Sequence, residues 1–236
     1  MIRDALTYLT DPANWTGSAG MLVLLLQQLL LTVTALVAVL AVALPIALWL
    51  GHLGRGGFLA INISNIGRAV PTFAVLILLS IGPLGTQVLG PYGRAGLATL
   101  VALALFALPP IVTNSYVGVR EVDHAVVDAA KGMGMTGWQV FWRVELRLAL
   151  PLTVTGLRLA LVQVWATATI AALVAGPGLG NVITAGFYRN NVGQGFAGAV
   201  VVAAVALVLE GLSALVEWLA RPIRRRERNE AAPALA

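Results

Sequence analysis

The chain has 236 residues, of which 59% are hydrophobic and 11% charged, whereas a soluble domain carries about 25% charged residues. This composition predicts an all-α integral membrane protein. Cysteine is absent, and the two histidines, His52 and His124, are too few for a histidine cluster, which excludes thiol chemistry and makes a metal site unexpected. The net charge of +5 fits cytoplasmic loops facing anionic lipid, so nucleic acid is not an expected partner.

The N-terminal residues 1–20 are expected to lie at the membrane interface. They contain a polar turn at residues 11–18, and Tyr8 and Trp15 are suitable anchors at the level of the lipid headgroups. A basic segment followed directly by a short apolar core is missing, so a cleaved signal peptide is not expected.

Charge-free runs predict five membrane-spanning helices, because a hydrocarbon core of about 30 Å needs about 20 apolar residues per helix. Trimmed at glycine, proline and polar clusters, the runs place these helices near residues 22–50, 72–90, 96–116, 152–175 and 196–219. The chain 1–236 is then a single transmembrane domain with a five-helix core at 22–219 and a tail at 220–236.

The distribution of Lys and Arg predicts the orientation. With the N-terminus outside, 11 of these residues fall in the inside segments, against three in the outside segments: Arg3, Arg94 and Arg189. Since cytoplasmic loops carry the basic excess, we expect the N-terminus outside and the C-terminus in the cytoplasm. The loop 117–151 and the basic tail 220–236 are then cytoplasmic.

The loop 117–151 combines charge with helix signals. Residues 122–131 have a helix-compatible composition, Gly132 and Gly134 interrupt them, and Thr136 is a suitable N-cap for a second helix from Gly137 to about Leu150. The second helix is amphipathic, because large side chains recur at three- and four-residue intervals: Trp138, Phe141, Trp142, Glu145 and Leu146. Its aromatic residues suit either a partner protein or the lipid interface.

One motif in this loop resembles the Glu-Ala-Ala loop signature of type I ATP-binding-cassette importer permeases. It consists of Asp128, Ala129, Ala130, Gly134 and Val144. In that family the loop forms a coupling helix that docks in a groove of the ATPase subunit, so the resemblance implies this role for the five residues. Asp128 replaces the usual Glu, and Arg147 stands where the family has Pro, with Pro151 following.

Three further stretches, 63–72, 108–123 and 166–174, resemble permeases for glycine betaine, choline, carnitine or proline betaine. The similarity runs from about Tyr8 to Arg221. It implies the permease subunit of an ATP-driven osmoprotectant importer in the bacterial inner membrane, working as a dimer with a second copy or a paralogue. A separate ATP-binding subunit and an extracytoplasmic substrate-binding protein are the implied partners.

The chain lacks a Gly-x-x-x-x-Gly-Lys-Ser/Thr loop, so it is expected to be no enzyme and to hold no cofactor, with ATP bound by the partner ATPase. An amino-acid permease of the same architecture, such as one for methionine, is the nearest alternative. A secondary transporter or channel would show inverted repeats or more intramembrane charge, and no convincing repeat is present. A membrane scaffold that moves no solute is the third alternative.

Polar and aromatic residues inside the predicted spans are candidates for the translocation path. The Glu210 carboxylate suits a quaternary ammonium substrate, but it equally suits a bond to a neighbouring helix or to the cytoplasmic interface. Trp165, near Thr169 on the fourth helix, offers a cation–π face or packs against small residues.

Prolines mark two places where the backbone is constrained. Pro109 and Pro110 are expected to break the third helix and leave carbonyls for Asn114 or water, either as a hinge or as a tolerated kink. In the resembling family the segment after the fourth helix is an external gate loop that usually reads Gly-Gly-Leu-Gly. Here residues 176–180 include Pro177, which is expected to stiffen that loop.

Overall fold

The structure is a computed structural model that describes residues 2–58, 60, 62, 67 and 69–220. Its α-helices, in chain order, are α1 (Ile2–Thr10), α2 (Met21–His52), α3 (Thr72–Ile81), α4 (Gly96–Arg120), α5 (His124–Gly132), α6 (Gly137–Val140), α7 (Leu146–Ile170), α8 (Gly180–Tyr188) and α9 (Val192–Ala220). A π-helical turn, Phe141–Glu145, joins α6 to α7. Most of the predicted tail, and positions 63–66 and 68 of the stretch 63–72, lie outside the described residues.

Four helices among the described residues are long and apolar enough to cross a membrane. They are Met21–His52, Gly96–Arg120, Gly137–Val174 taken as one continuous helix, and Val192–Ala220. Helix α2 has 32 residues, which at about 1.5 Å per residue exceeds the thickness of the hydrocarbon core. The predicted class of helical, multi-pass membrane protein is confirmed.

The second predicted span, 72–90, is wrong in its C-terminal half. Helix α3 has only 10 residues and ends at Ile81. Gly82 has an extended backbone, and Pro83 follows it, so the helix cannot continue through this pair. The prediction of five spans is therefore not reproduced by the described residues, where α3 is a short apolar helix.

Two further helices differ from the prediction. The fourth span starts well before residue 152, because the π-helical turn connects α6 to α7 without a break. Helix α8 was not predicted, since its residues belong to a continuous apolar run. The predicted interfacial segment contains α1, which packs on α9, and a Cβ on Gly193 of α9 would lie 2.7 Å from the Asp4 Cβ.

The core lies where α2, α4 and α7 meet. Its fully buried residues alternate between large and small side chains, and they are Leu31, Ala35, Leu103, Ala107, Ile111, Ala160, Val164 and Ala168. Helices α4 and α7 approach closely at two glycines: a Cβ on Gly118 would lie 3.1 Å from the Ala149 carbonyl oxygen, and one on Gly156 would lie 2.7 Å from the Pro110 carbonyl oxygen. Such small-residue contacts are typical of membrane helix packing.

The prolines of α4 do not break the helix, so that part of the prediction is wrong, whereas the predicted contact of Asn114 with a carbonyl is found. Helix α4 runs through Pro109 and Pro110 to Arg120. The Asn114 side-chain amide donates a hydrogen bond to the Pro110 carbonyl at 2.8 Å. Packing against α7 holds this part of α4 in helical form, since neighbouring helices stabilise such interruptions in a membrane.

We expect Gly156→Ala to lower the thermal unfolding midpoint of the detergent-solubilised protein. Its new Cβ would lie 2.7 Å from both the Pro110 carbonyl oxygen and the Asn114 Cβ, and overpacking of this kind costs about 1–3 kcal/mol. Gly211→Ala is the matched control, because nothing lies within 4 Å of a Cβ there, and its midpoint should equal or exceed that of the wild type. Equal midpoints for the two variants would contradict the close approach of α4 and α7.

Candidate functional site

The loop 117–151 folds as a helix, a glycine turn and a second helix, as predicted. The Asp123 side chain accepts a hydrogen bond from the Ala125 N–H at 2.9 Å and caps α5. The Thr136 side chain accepts from the Gln139 N–H while the Gln139 side chain accepts from the Thr136 N–H, which forms a capping box at the start of α6. The predicted N-cap at Thr136 is confirmed.

Gly134 makes the turn between these helices. It has a positive φ of +85°, and the N–H groups of Gly134 and Met135 donate to the carbonyls of Lys131 and Ala130 at 2.9 and 3.2 Å. This is the Schellman pattern for the end of a helix, in which the left-handed position favours glycine. A Cβ on Gly134 or on Gly132 would meet nothing within 4 Å, so the requirement at Gly134 is conformational and not steric.

The motif residues lie in the segment formed by α5, the glycine turn, α6 and the π-helical turn, which we call the coupling segment after its predicted role. They divide between its two faces. The inner face packs as a cluster of buried residues with Met135 and Val144 against it: Val122, Val127, Ala130 and Val140. Asp128 and Ala129 are exposed on the outer face. There Ala125, Ala129 and Met133 follow at four-residue spacing, and Met133 is 77% exposed. The outer face is therefore a small apolar stripe beside charged side chains.

An aromatic cluster attaches the coupling segment to the end of α2. The Trp49 and Phe141 rings meet edge to face with centroids 5.6 Å apart, and the His52 and Phe141 rings lie 5.2 Å apart. The His52 Nδ1 atom lies 2.5 Å from the Glu145 Oε2 atom, and the side chains of both are largely buried. Sequence reasoning assigned the aromatics to an amphipathic surface helix and missed Trp49 and His52, because the contact joins residues about 90 positions apart.

The Glu210 carboxylate is bonded to Arg158 of the neighbouring helix α7. The Arg158 Nε donates to Glu210 Oε1 at 2.9 Å, its Nη2 bonds the same oxygen, and its Nη1 donates to Glu217 Oε2 at 2.7 Å. This geometry matches the alternative in which the Glu210 carboxylate bonds to a neighbouring helix. The three side chains line an open groove that also includes Gln163.

Trp165 and Thr169 lie about two and three helical turns further along α7 than Arg158, and Trp165 faces the same helix, α9. Trp165 is 2% exposed, and its Nε1 donates to the Val202 carbonyl at 3.2 Å. Its indole therefore packs between helices within this chain. The Thr169 hydroxyl accepts a hydrogen bond from the Gln28 amide at 2.8 Å.

The predicted gate loop, 176–180, is packed into the protein, and Pro177 within it is buried. The Asn181 amide donates to the carbonyls of Gly176 and Gly178 at 2.9 and 3.0 Å. The Leu179 N–H donates to the Gln28 Oε1 atom at 2.8 Å. Gln28 was not singled out from the sequence, because a lone glutamine in an apolar run does not indicate what it contacts.

Comparison with known proteins places this geometry in context. Residues 43–229 match the family described as "Binding-protein-dependent transport system inner membrane component". The carnitine transport permease protein OpuCB of Listeria monocytogenes is 32% identical over 207 residues, which cover 86% of this chain and 89% of that protein. The osmoprotectant import permease protein OsmY of Salmonella typhimurium is 33% identical over 197 residues, covering 83% and 78%.

A third relative and a solved structure agree with these matches. The glycine betaine/carnitine/choline transport system permease protein OpuCB of Bacillus subtilis is 29% identical over 196 residues, which cover 83% of this chain and 86% of that protein. A chain of the MetNI methionine ABC transporter, in an inward-facing conformation, superposes with a TM-score of 0.72 at 19% identity, covering 90% of this chain and all of that chain. That likeness shows a common fold.

We expect Arg158→Glu to lower the thermal midpoint of the purified protein by several degrees, because it places a third carboxylate beside Glu210 and Glu217. Adding Glu210→Arg restores opposite charges across the two helices and should recover part of the loss. Arg147→Glu, at an exposed position near the start of α7, is the control and should have little effect. A double variant no more stable than Arg158→Glu alone would contradict the ion pair.

Proposed function

This chain belongs to the family of binding-protein-dependent transport system inner membrane components, and we propose that its cargo is a small osmoprotectant of the glycine betaine, carnitine and choline class. It is the permease component of an ATP-binding-cassette importer. The observation that carries the cargo class is the similarity, over 83–86% of the chain, to permeases named for carnitine, for glycine betaine, carnitine and choline, and for osmoprotectants. The three compounds share a trimethylammonium group, so one kind of path serves them all.

Methionine is not favoured as the cargo. The methionine importer shares 19–20% identity with this chain, a likeness that reaches the fold alone. Membership of a binding-protein-dependent family also argues against the secondary transporter and the scaffold.

For the coupling segment we propose docking to the separate ATPase subunit through the outer face. Asp128, Ala129 and Met133 are exposed there, whereas Ala130 and Val144 pack inward and hold the surface in shape. Because Met133 leaves a large apolar side chain in the open, a groove on a partner is a natural cover for it. The ATPase would bind and hydrolyse ATP, and this chain would contribute neither a nucleotide site nor a cofactor.

The remaining assembly follows from the same proposal. The excess of basic residues supports an external N-terminus and a cytoplasmic C-terminus, with the coupling segment on the cytoplasmic side. The binding protein would then deliver the cargo to the opposite face, near the loop 176–180. A second permease, either a copy or a paralogue, would complete the path, and residues 1–236 would act as one domain.

Uptake into proteoliposomes tests the proposed cargo. The vesicles would contain this chain, the ATPase of the same importer and its binding protein, with labelled glycine betaine, carnitine, choline or methionine outside. We expect uptake of at least one trimethylammonium compound, only with hydrolysable ATP and only with the binding protein, and no uptake of methionine. Methionine uptake alone would replace the cargo class, and stimulated ATP hydrolysis without uptake of any trimethylammonium compound would also contradict it.

Alanine substitutions at two neighbouring glycines test the coupling segment. Gly134→Ala forces an L-residue into the left-handed conformation at a cost of about 1–2 kcal/mol, whereas Gly132→Ala lies in a helix and has open space. We expect Gly134→Ala to reduce ATP-driven uptake by roughly tenfold and Gly132→Ala to leave it near wild type. Equal uptake by both variants, at equal amounts of folded protein, would contradict the proposed role of the turn.

A further inference from the structure

Two polar contacts tie α2 to the chain segment that runs from the π-helical turn through α7, one at each end. At one end the Gln28 amide donates to the Thr169 hydroxyl at 2.8 Å and to the Trp165 carbonyl at 3.3 Å. At the other end the His52 imidazole meets the Glu145 carboxylate at 2.5 Å. The two segments are thus fastened at two levels.

The spacing of these ties is equal on the two segments. Gln28 and His52 are 24 residues apart, and so are Glu145 and Thr169. At about 1.5 Å per residue the ties lie roughly 36 Å apart, which is more than the thickness of the hydrocarbon core. The two segments therefore run antiparallel in constant register. Between the ties they share one apolar cluster that includes Leu31 and Ala160 and a second that includes Leu48 and Ala149.

Each tie also reaches a part of the protein that the proposed function assigns to transport. The His52–Glu145 tie lies in the coupling segment, where Phe141 packs against Trp49. At the other tie, the Gln28 side-chain oxygen accepts a hydrogen bond from the Leu179 N–H. Gln28 therefore holds the loop 176–180 and the start of α8. Gly178 has a φ of +116°, and a Cβ there would lie 2.9 Å from the Gln28 Oε1 atom, so the loop is fitted closely to this amide.

Prolines lie at nearly the same level in the two segments. Pro45 is the proline inside α2, and Pro151 is the one inside α7. Each removes a backbone hydrogen bond and weakens its helix there. Because ties lie on both sides of this level, a bend at one proline has to be accompanied by a bend at the other, and the two segments stay aligned.

From these contacts we propose that α2 and α7 form one lever, which carries movement of the coupling segment to the loop 176–180 on the far side of the membrane. Gln28 and His52 are positioning residues in this lever: they act through Leu179 and Glu145 and need not touch the cargo. The inference rests on the proposed function, because it takes ATP-driven movement of the coupling segment as its input.

Distances between spin labels test the lever in the assembled transporter, and the absence of cysteine makes labelling selective. Exposed positions on the two segments supply an outer pair, Leu26→Cys with Ile170→Cys, and an inner pair, Ile46→Cys with Leu148→Cys. Labelled chains are diluted with unlabelled copies, and each pair is measured without nucleotide and with ATP trapped by a hydrolysis-deficient ATPase. We expect both distances to stay the same in the two states.

A single label at Glu121→Cys, which lies between α4 and the coupling segment, is used undiluted and reports the distance between two copies beside that segment. That distance should change when ATP is trapped. If it does not, the proposed coupling movement fails. If it changes and the outer or inner pair also changes, the movement is real and the lever is overturned.

Substitution of Gln28 tests the outer tie. Gln28→Leu leaves the Leu179 N–H without its acceptor. We therefore expect a broader distribution of distances between the labels of the outer pair, and a fall of roughly tenfold in uptake per ATP hydrolysed. Gln27→Leu is the matched control, because Gln27 is the adjacent amide and donates to the Pro91 carbonyl at 3.0 Å on an open face. Wild-type uptake per ATP in Gln28→Leu would overturn the assignment.

Glu145→Ala provides the same test at the opposite end and remains informative if Gln28→Leu fails to fold. We expect it to uncouple ATP hydrolysis from uptake while the variant still co-purifies with the ATPase, since the outer face of α5 is unchanged. Loss of ATPase binding together with uptake would assign Glu145 to docking and would contradict its place in the lever.

Discussion

The side chain of Gln28 lies among apolar helices where neither lipid nor water offers hydrogen bonds, so the protein itself must satisfy the amide. It does so by accepting the Leu179 N–H and by donating to α7. The surrounding structure depends on this arrangement. Helix α8 begins directly after Leu179, whose N–H donates to this amide of α2. Gly178 suits its position because its φ is +116° and a Cβ there would lie 2.9 Å from the same amide oxygen. A directional polar contact thus decides how this end of the bundle is closed.

The opposite end of α2 is held by a broader contact. There the rings of Trp49, His52 and Phe141 pack together, and the Glu145 carboxylate completes the group. The π-helical turn places Phe141 and Glu145 in this contact while leaving α7 continuous with α6, a role often seen for π-helical insertions. Because the inner face of the coupling segment is packed against its own second helix, its outer face keeps its shape without a partner.

The sequence predicted the features of the fold that depend on interactions between residues close together in the chain. The long apolar runs located α2, α4 and α9, and the Thr136 cap and Gly134 turn were readable because each involves residues within a few positions of one another. The end of α3 was also a local signal, the Gly82–Pro83 pair, and was missed because the count of apolar residues continued past it. What depends on distant contacts was not readable: apolar content alone did not reveal that α8 is a separate helix. The partner of Glu210 is 52 residues away on another helix, so the sequence left its role open between a neighbouring helix and the cargo.

The pairing of Glu210 with Arg158 bears on how such a permease treats its cargo. Two carboxylates seven residues apart on α9 lie on one face, about two helical turns apart, and a single guanidinium spans both. If the proposed trimethylammonium cargo passes this groove, it meets carboxylates that share one guanidinium, which offsets one of their two charges and weakens the attraction. Weak attraction favours passage, because a solute held tightly within a path leaves it slowly. Under the proposed function, selection among osmoprotectants would then fall to the binding protein, and the membrane path would have only to admit what is delivered and release it.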